Sequence, residues 1–453
     1  MAAASPAQAV GVLLIGTGEY STGFVNEGAS SSDKPGGVLA LVALHLRSRG
    51  LVTRVGLCGV HGAKLPAIRA HMQRMLGDVY TGIDPSCIET FPADHVTDAQ
   101  AYRAACLSFS AGDVAIIFTP DDTHAAIASC CLERGMHVLI TKPPVKTLHE
   151  HAALAAAANE AGRLCCVETP APCQLHKRFD PIYLDARDRI QALGDFSFFS
   201  SYMSQPKLQL HTFKAWAGTS SDISYYLNSH HVDFHAWAVK GRARPEVVSG
   251  MGSTGVASAR LGVSTEDTIT LAVQWRNRSA DGGFTGGNLG HASYTASWVA
   301  PKSDAHSQQR WFYMGHLGEV SVDQAHRGYQ LASDAEGYGS LNPLFWKPTR
   351  DATTGELTPP TSPARGGWPS IWLIECVDMA KSCSCCWQSE FVQILPNDIT
   401  TCKFSGQRCY GYLSIEAMIS AAISCNDGVS SPEDLNLTMP TLATTTGVTA
   451  ILE

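Results

Sequence analysis

Three things are scarce in this sequence of 453 residues, and each scarcity excludes a class of function. No apolar run approaches the roughly 18 residues that a membrane-spanning helix needs. Basic charge is short as well: 33 Lys and Arg face 41 Asp and Glu, and the net charge of -8 argues against nucleic acid or an anionic membrane as a partner. Metal-ligand spacing is the third. Cys383 and Cys386 form a C-x-x-C, with Cys385, Cys402 and Cys409 nearby, but no second C-x-x-C or H-x-H completes a zinc site, so no metal is expected. The other cysteines follow no pattern. The pairs at 130–131 and 165–166 fall in apolar segments, where thiols act as small hydrophobes. Such usage fits a reducing, cytoplasmic compartment, in which the sequons at Asn277 and Asn436 stay silent. Residues 1–9 are small and uncharged, without the basic start of a signal peptide, and read as a disordered tail.

What is present is apolar content of 45%, enough for two cores in a chain of this length. The most legible stretch is 113–144. Residues 114–118 (VAIIF) make the continuous apolar run of a buried parallel strand, and the turn Thr119-Pro120-Asp121-Asp122-Thr123-His124 stops it. A helix over 125–134 closes at Gly135. A second buried strand, 137–140, delivers Thr141-Lys142-Pro143-Pro144. Ligands of open parallel sheets bind beyond the carboxyl ends of strands, so Lys142 is expected to point at one.

The chain opens in the same idiom. A strand over 10–15 runs into Gly16-Thr17-Gly18-Glu19-Tyr20-Ser21, the start of a dinucleotide-binding turn whose first glycine bends the chain and whose second admits a pyrophosphate. Alone, this G-x-G fits a plain glycine-rich turn equally well. The third glycine is out of step, and residues 28–37 insert a Ser/Gly/Asp/Lys-rich segment before a helix at 38–47. A strand at 53–58 completes the strand-helix-strand unit, with further helices at 65–76, 102–110 and 148–162 and a strand at 164–167. The alternation predicts a Rossmann-type, doubly wound parallel sheet over 10–168. The strand at 53–58 ends in Gly59-Val60-His61-Gly62-Ala63-Lys64 without the acid that usually binds an adenosine ribose. His61 and Lys64 can instead meet a 2'-phosphate, which tilts the cofactor toward NADP over NAD; as plain solvent-facing loop residues they need no role.

Residues 169–453 read as a second, α+β domain for substrate binding and oligomerisation. A helix over 179–193 and an alternating strand over 195–204 precede a long helix from Ser220-Ser221-Asp222 to about residue 240, along which Tyr226, His230, Asp233 and Trp237 share a face. Segments at 246–256, 267–275, 293–300, 311–314, 319–322 and 329–332 suggest a large open antiparallel sheet flanked by helices. Residues 337–370 read as an irregular insertion rich in Pro, Thr and Gly, and helical spacing returns at 371–381, 410–424 and 442–452. The run Gln324 to Tyr329 places His326 and Arg327 after a strand end, within reach of a substrate or as ordinary loop residues.

The glycine turn, T-P-x-x-x-H at 119–124, K-P at 142–143 and K-R-F-D-P at 177–181 together resemble the glucose-fructose oxidoreductase, inositol dehydrogenase and MocA family, in an atypical branch. The resemblance implies NADP or NAD held by Gly16, Thr17, Gly18, Glu19, Tyr20, His61, Lys64, Thr119, Pro120, His124 and Lys142. It also implies a small carbohydrate-like substrate, and a homodimer or homotetramer formed through the antiparallel sheet. In that family the lysine of an E-K-P motif sits beside the nicotinamide and the reacting hydroxyl; Lys142 matches it, with Thr141 in the glutamate's place. The D-x-G-x-H-x-x-D motif matches at His230 and Asp233, with Tyr226 replacing the first aspartate and Asn228 the glycine. Lys142, His230 and Tyr226 are thus the catalytic candidates, and Lys142, Asn228, His230, His326 and Arg327 the substrate-binding ones. The activity implied is an oxidoreductase moving hydride between a nicotinamide and a secondary carbinol or carbonyl of a sugar, polyol or derivative. The alternatives are an NAD(P)-binding sensor or interaction protein without turnover, favoured by Thr141 and Tyr226, and a structural oligomer that binds no nucleotide.

Overall fold

The computed structural model describes residues 9–25, 28–30, 35–168, 178, 181–301, 308–323, 328–333, 337–341, 402–403, 410–437 and 439–453. Its first layer is a six-stranded, all-parallel sheet built from β1 (Val10–Ile15), β2 (Val52–Cys58), β3 (Ile88–Phe91), β4 (Val114–Ile117), β5 (His137–Thr141) and β6 (Cys165–Glu168). Their order in space is β3-β2-β1-β4-β5-β6. This is the doubly wound arrangement, and the reversal of strand order between β1 and β4 opens a crevice at their carboxyl ends. Every residue of β1, β4 and β5 is buried, as continuous apolar runs require when helices cover both faces. Successive β1 residues serve opposite sides. Val12 and Leu14 pack with helices α2 (Leu39–Ser48) and α3 (Leu65–Met72), whereas Leu13 and Ile15 pack with α4 (Ala101–Ser108), α5 (His124–Glu133) and α6 (Leu148–Ala161). The first helix is divided: one turn, α1 (Glu19–Thr22), is followed by a short hairpin (Phe24–Val25 with Gly28–Ala29) before α2.

The second layer is an eight-stranded sheet of β7 (Phe196–Pro206), β8 (Ala243–Thr254), β9 (Glu266–Asn277), β10 (Leu289–Ala300), β11 (Gln308–Gly315), β12 (Gly318–Asp323), β13 (Gly328–Ser333) and β14 (Gly337–Leu341). It is ordered β8-β9-β10-β7-β11-β12-β13-β14. One inner face carries Phe199, Trp275, Tyr294, Trp311 and Tyr313, all buried against α7 (Pro181–Ile190), α9 (Ser229–Ala238) and α12 (Leu442–Leu452). Two shorter helices, α8 (Leu210–Phe213) and α10 (Val256–Leu261), and α11 (Tyr410–Asn426) complete the numbering.

Several expectations need correction. The second sheet is mixed, because β7 and β10 run parallel (Ser200 opposite Ser293), which the long crossover between them permits. β3 escaped notice because IETF is short and half polar. Residues 337–341, read as irregular, form the edge strand β14. The helix at 220–240 starts with a π-turn over Ser224–Asn228 and becomes α-helical only at Ser229; Val256, read as strand, begins α10. Helix α11 returns to the first layer, where Ile415, Met418 and Ile419 share a core with Leu14 and Leu41. The irregular stretch beyond 341, the helix at 371–381, the C-x-x-C, residues 1–8 of the tail, His326 and Arg327 lie outside the described residues.

Candidate active site

At the crevice, Gly16 has φ +115, and a Cβ there would lie 1.9 Å from the Phe118 carbonyl oxygen, so glycine is the residue the turn admits. Its amide donates to the Cys58 carbonyl (2.8 Å). The space beside Gly18 is open, with no atom within 4 Å of where a Cβ would stand, as close approach of a phosphate to backbone requires. Thr17 packs on Gly59, at the end of β2. The Tyr20 ring stacks on Phe118 (centroids 5.0 Å, planes 1° apart), tying the loops after β1 and β4 together, while Glu19 accepts from the Ser30 hydroxyl of the inserted segment. His61 and Lys64 are exposed in the loop after β2. Sequence reading missed that Asp98 joins this loop, its amide donating to the Val60 carbonyl (2.9 Å).

The turn after β4 is held from below. Thr123 Oγ1 donates to Thr119 Oγ1 (2.7 Å), and its amide donates to the Pro120 carbonyl (2.9 Å). His124, fully buried, spans two carbonyls: Nε2 lies 2.8 Å from Thr119 O and Nδ1 2.9 Å from Pro143 O. The ring therefore fixes the loop of β4 to the cis Lys142-Pro143 turn after β5.

Lys142 directly follows β5 and is 4% exposed. Its ammonium donates to the backbone carbonyl of Tyr226 and sits over that residue's ring, 3.8 Å from the centroid. Burial lowers Lys142 to about 7, and the Asp121 carboxylate opposes the shift. Tyr226 in turn packs between Phe213 and Trp216, each 5.1 Å away by centroids. Tyr226 lies within the π-turn that precedes the regular helix. A second strap joins the domains beside it: Lys146 Nζ donates to Ser220 O (3.0 Å), and Tyr225 OH donates to Lys146 O (2.9 Å).

On α9, His230 is fully buried one helical turn beyond Tyr226. Asn228 is engaged inside the second domain, its Nδ2 donating to Ser224 Oγ (3.0 Å) and toward Ile269 O (3.4 Å). Asp233 receives both Nε (2.9 Å) and Nη2 (2.6 Å) of Arg178, from the K-R-F-D-P stretch, with both side chains buried. His231 meets Tyr183 OH (3.2 Å), and His235 meets Tyr294 OH (2.6 Å) amid Phe196, Phe199 and Trp275. Burial pulls His235 down to about 3, the behaviour of a core imidazole. A small cavity beside Lys142 is lined by Pro143, Ser229, Asp233, Thr449 and Leu452, the last two supplied by α12. Among the described residues no cluster of three or more His, Cys, Asp or Glu could hold a metal, and no helix is long and apolar enough to cross a membrane.

Fold and site together define a two-domain protein with a dinucleotide-type crevice and a buried lysine where the domains meet. Residues 53–169 match the profile of the oxidoreductase family with NAD-binding Rossmann fold to which glucose-fructose oxidoreductase, inositol dehydrogenase and MocA give their names. Over 124 residues the chain is 31% identical to an uncharacterized oxidoreductase of Escherichia coli K12, and over 80 residues 35% identical to the NAD-dependent scyllo-inositol 2-dehydrogenase of Bacillus subtilis. These alignments take in 27% and 18% of this chain, and 34% and 22% of the relatives' own length. Among solved structures, an inositol dehydrogenase homolog of Azotobacter vinelandii complexed with NADH and myo-inositol superposes at TM-score 0.60 with 14% identity, covering 98% of this chain and 94% of that one. An oxidoreductase of Agrobacterium radiobacter in complex with NAD+, L-tartaric acid and magnesium superposes at 0.55 with 11% identity, over 98% of this chain and 94% of that one. At such identities the likeness concerns the fold.

Proposed function

We propose that the protein is an NAD(P)-dependent dehydrogenase or reductase acting on a secondary alcohol or carbonyl of a sugar, polyol or derivative. The observation that carries this reading is Lys142: a buried ammonium at the carboxyl end of a parallel strand, one strand from the switch point, facing the second domain. The bound nicotinamide supplies or accepts the hydride. Gly16 and Gly18 give the pyrophosphate its approach, Thr17, Glu19 and Tyr20 shape the turn, and Thr119 and Pro120 border the crevice, with His124 fixing their loop. Lys142 donates a hydrogen bond to the substrate oxygen whose negative charge grows during reduction. His230 transfers the proton, and Tyr226, lacking a carboxylate, acts through its phenol and by seating the lysine. Asn228 shapes the substrate wall from behind. The exposed His61 and Lys64 support NADP over NAD, whereas Asp98 in the same loop supports the reverse.

On the outer face of the second sheet, Phe198, Tyr202, Phe312 and Met314 remain partly exposed among Ser and Thr residues; burying them against a second copy would make a homodimer or homotetramer. Eight of the described cysteines are free thiols, which supports a cytoplasmic setting. The sensor reading draws on one observation: Tyr226 already occupies the lysine. Titration with NADPH and NADH, followed by a polyol and aldose screen at 340 nm, separates the two. Binding with turnover on a polyol or aldose is the expected result; binding without turnover on any of them favours the sensor, and no binding of either nucleotide overturns both.

A further inference from the structure

A buried ammonium needs an anion, and neither an aromatic face nor a peptide carbonyl carries a full negative charge. Thr141 and Tyr226, the neighbours of Lys142 along its strand and across the domain boundary, bring none. The missing charge comes from the adjacent strand. β4 and β5 pair with Ile117 opposite Ile140, so the turn after β4 lies beside Lys142, and the His124 clamp locks the two loops together. Asp121 sits in this turn, with its Oδ2 buried and without a hydrogen-bond partner, whereas its neighbour Asp122 is exposed. The groups facing the Asp121 carboxyl are His124, Lys142, Lys146 and Ser221, and Tyr225 stands in its field. Lys146 is already engaged with Ser220 O. The acid and the catalytic-candidate lysine are therefore the two incompletely paired members of one buried cluster.

The geometry points to Asp121 as the positioning acid of Lys142: its carboxylate keeps the ammonium charged and aimed at the site, a role the chain has placed in the first domain. This deepens the proposed function, since it rests on Lys142 meeting the reacting oxygen. Burial raises Asp121 and lowers Lys142, so each depends on the other to ionise. Loss of either charge removes the force that holds its partner's.

The test reads the protonation of Lys142 directly, in the full chain, without a substrate. Protein carrying lysine labelled with 13C at Cε is titrated by NMR, with the Lys142 signal assigned from its loss in Lys142→Arg. The wild-type midpoint is expected near 7. In Asp121→Asn it falls by about one pH unit or more, a tenfold loss of proton affinity, and Asp121→Glu restores it at least in part. The reciprocal arm follows the Asp121 carboxyl in Lys142→Met, where its midpoint rises by the same amount. That arm leaves Asp121 intact and stands even if Asp121→Asn does not fold. Midpoints that ignore the partner's charge in a folded variant overturn the assignment. Failure of the wild type to bind either nucleotide would overturn the proposed function while leaving this titration readable.

Discussion

Two buried cations meet α9 and the π-turn before it, and they are treated in opposite ways. Arg178 has its fork matched by both oxygens of Asp233, with a further contact to Thr444 and each member of the pair out of water. Lys142 is equally buried, yet among the described residues no carboxylate makes ion-pair contact with it, and it rests on a ring and a carbonyl. A cation matched by both oxygens of a buried carboxylate is a fastener; one left short of charge at a strand end retains the capacity to bond something else. The comparison separates structure from chemistry more sharply than the sequence motifs do, since both residues belong to motif runs.

The largest effect should come from the fastener. Arg178→Met leaves Asp233 buried and uncompensated, and is expected to cost about 3–5 kcal/mol in urea denaturation, much of it recovered in the double variant with Asp233→Leu. A loss well under 1 kcal/mol would break the comparison. Lys142→Met should retain the folded state and nucleotide binding while turnover on a responding substrate falls by about 10²- to 10³-fold; an unfolded variant would make the lysine a second fastener.

Proton linkage sharpens the contrast. Lys142 titrates near 7 in the folded protein against the ordinary lysine value of 10.5, so between those values the unfolded chain binds more protons and stability rises with pH. This lysine's contribution to the slope should be absent from the denaturation midpoints of Lys142→Met measured across pH 7 to 10. For carbonyl reduction, which needs the charged donor, kcat/KM is expected to decline as pH rises through about 7, and this limb should move to much higher pH in Lys142→Arg. Smaller again is Tyr226→Leu: loss of the cation–π contact removes about 0.5–2 kcal/mol of support for the ammonium and lowers its midpoint, whereas Tyr226→Phe keeps the ring and leaves that midpoint nearly in place. Least of all, Lys64→Ala should weaken NADPH relative to NADH by no more than a few-fold in a fluorescence titration, as an exposed charge contributes about 0.2–1 kcal/mol.

The local half of this organisation was legible. Apolar runs announced β1, β4 and β5, Gly16 announced its turn, and position at a strand end singled out Lys142. What stayed hidden depends on distance along the chain or on a single turn's geometry. Nothing in the pattern distinguishes Asp121 from Asp122, although Asp121 has a buried carboxyl oxygen and Asp122 is exposed. The Arg178–Asp233 pair spans 55 residues, and the return of α11 to the first core spans far more. The π-turn at Ser224–Asn228, which holds Tyr226, reads as ordinary helix in periodicity. Asn228, singled out by its motif position, also donates to Ser224 and Ile269, contacts that no pattern announces.

The pairing of β7 also sets a schedule for synthesis. This central strand, with Phe196, Phe199 and Tyr202 within it, is flanked by β10 and β11, which begin only at residues 289 and 308. At translation speeds of about 5–20 residues per second, β7 waits on the order of ten seconds outside the ribosome before either neighbour exists. Through that interval both edges of an aromatic strand are unpaired. The nascent chain is then most exposed to chaperones and to wrong partners, and its yield in cells should respond to chaperone supply more than the stability of the finished fold would suggest.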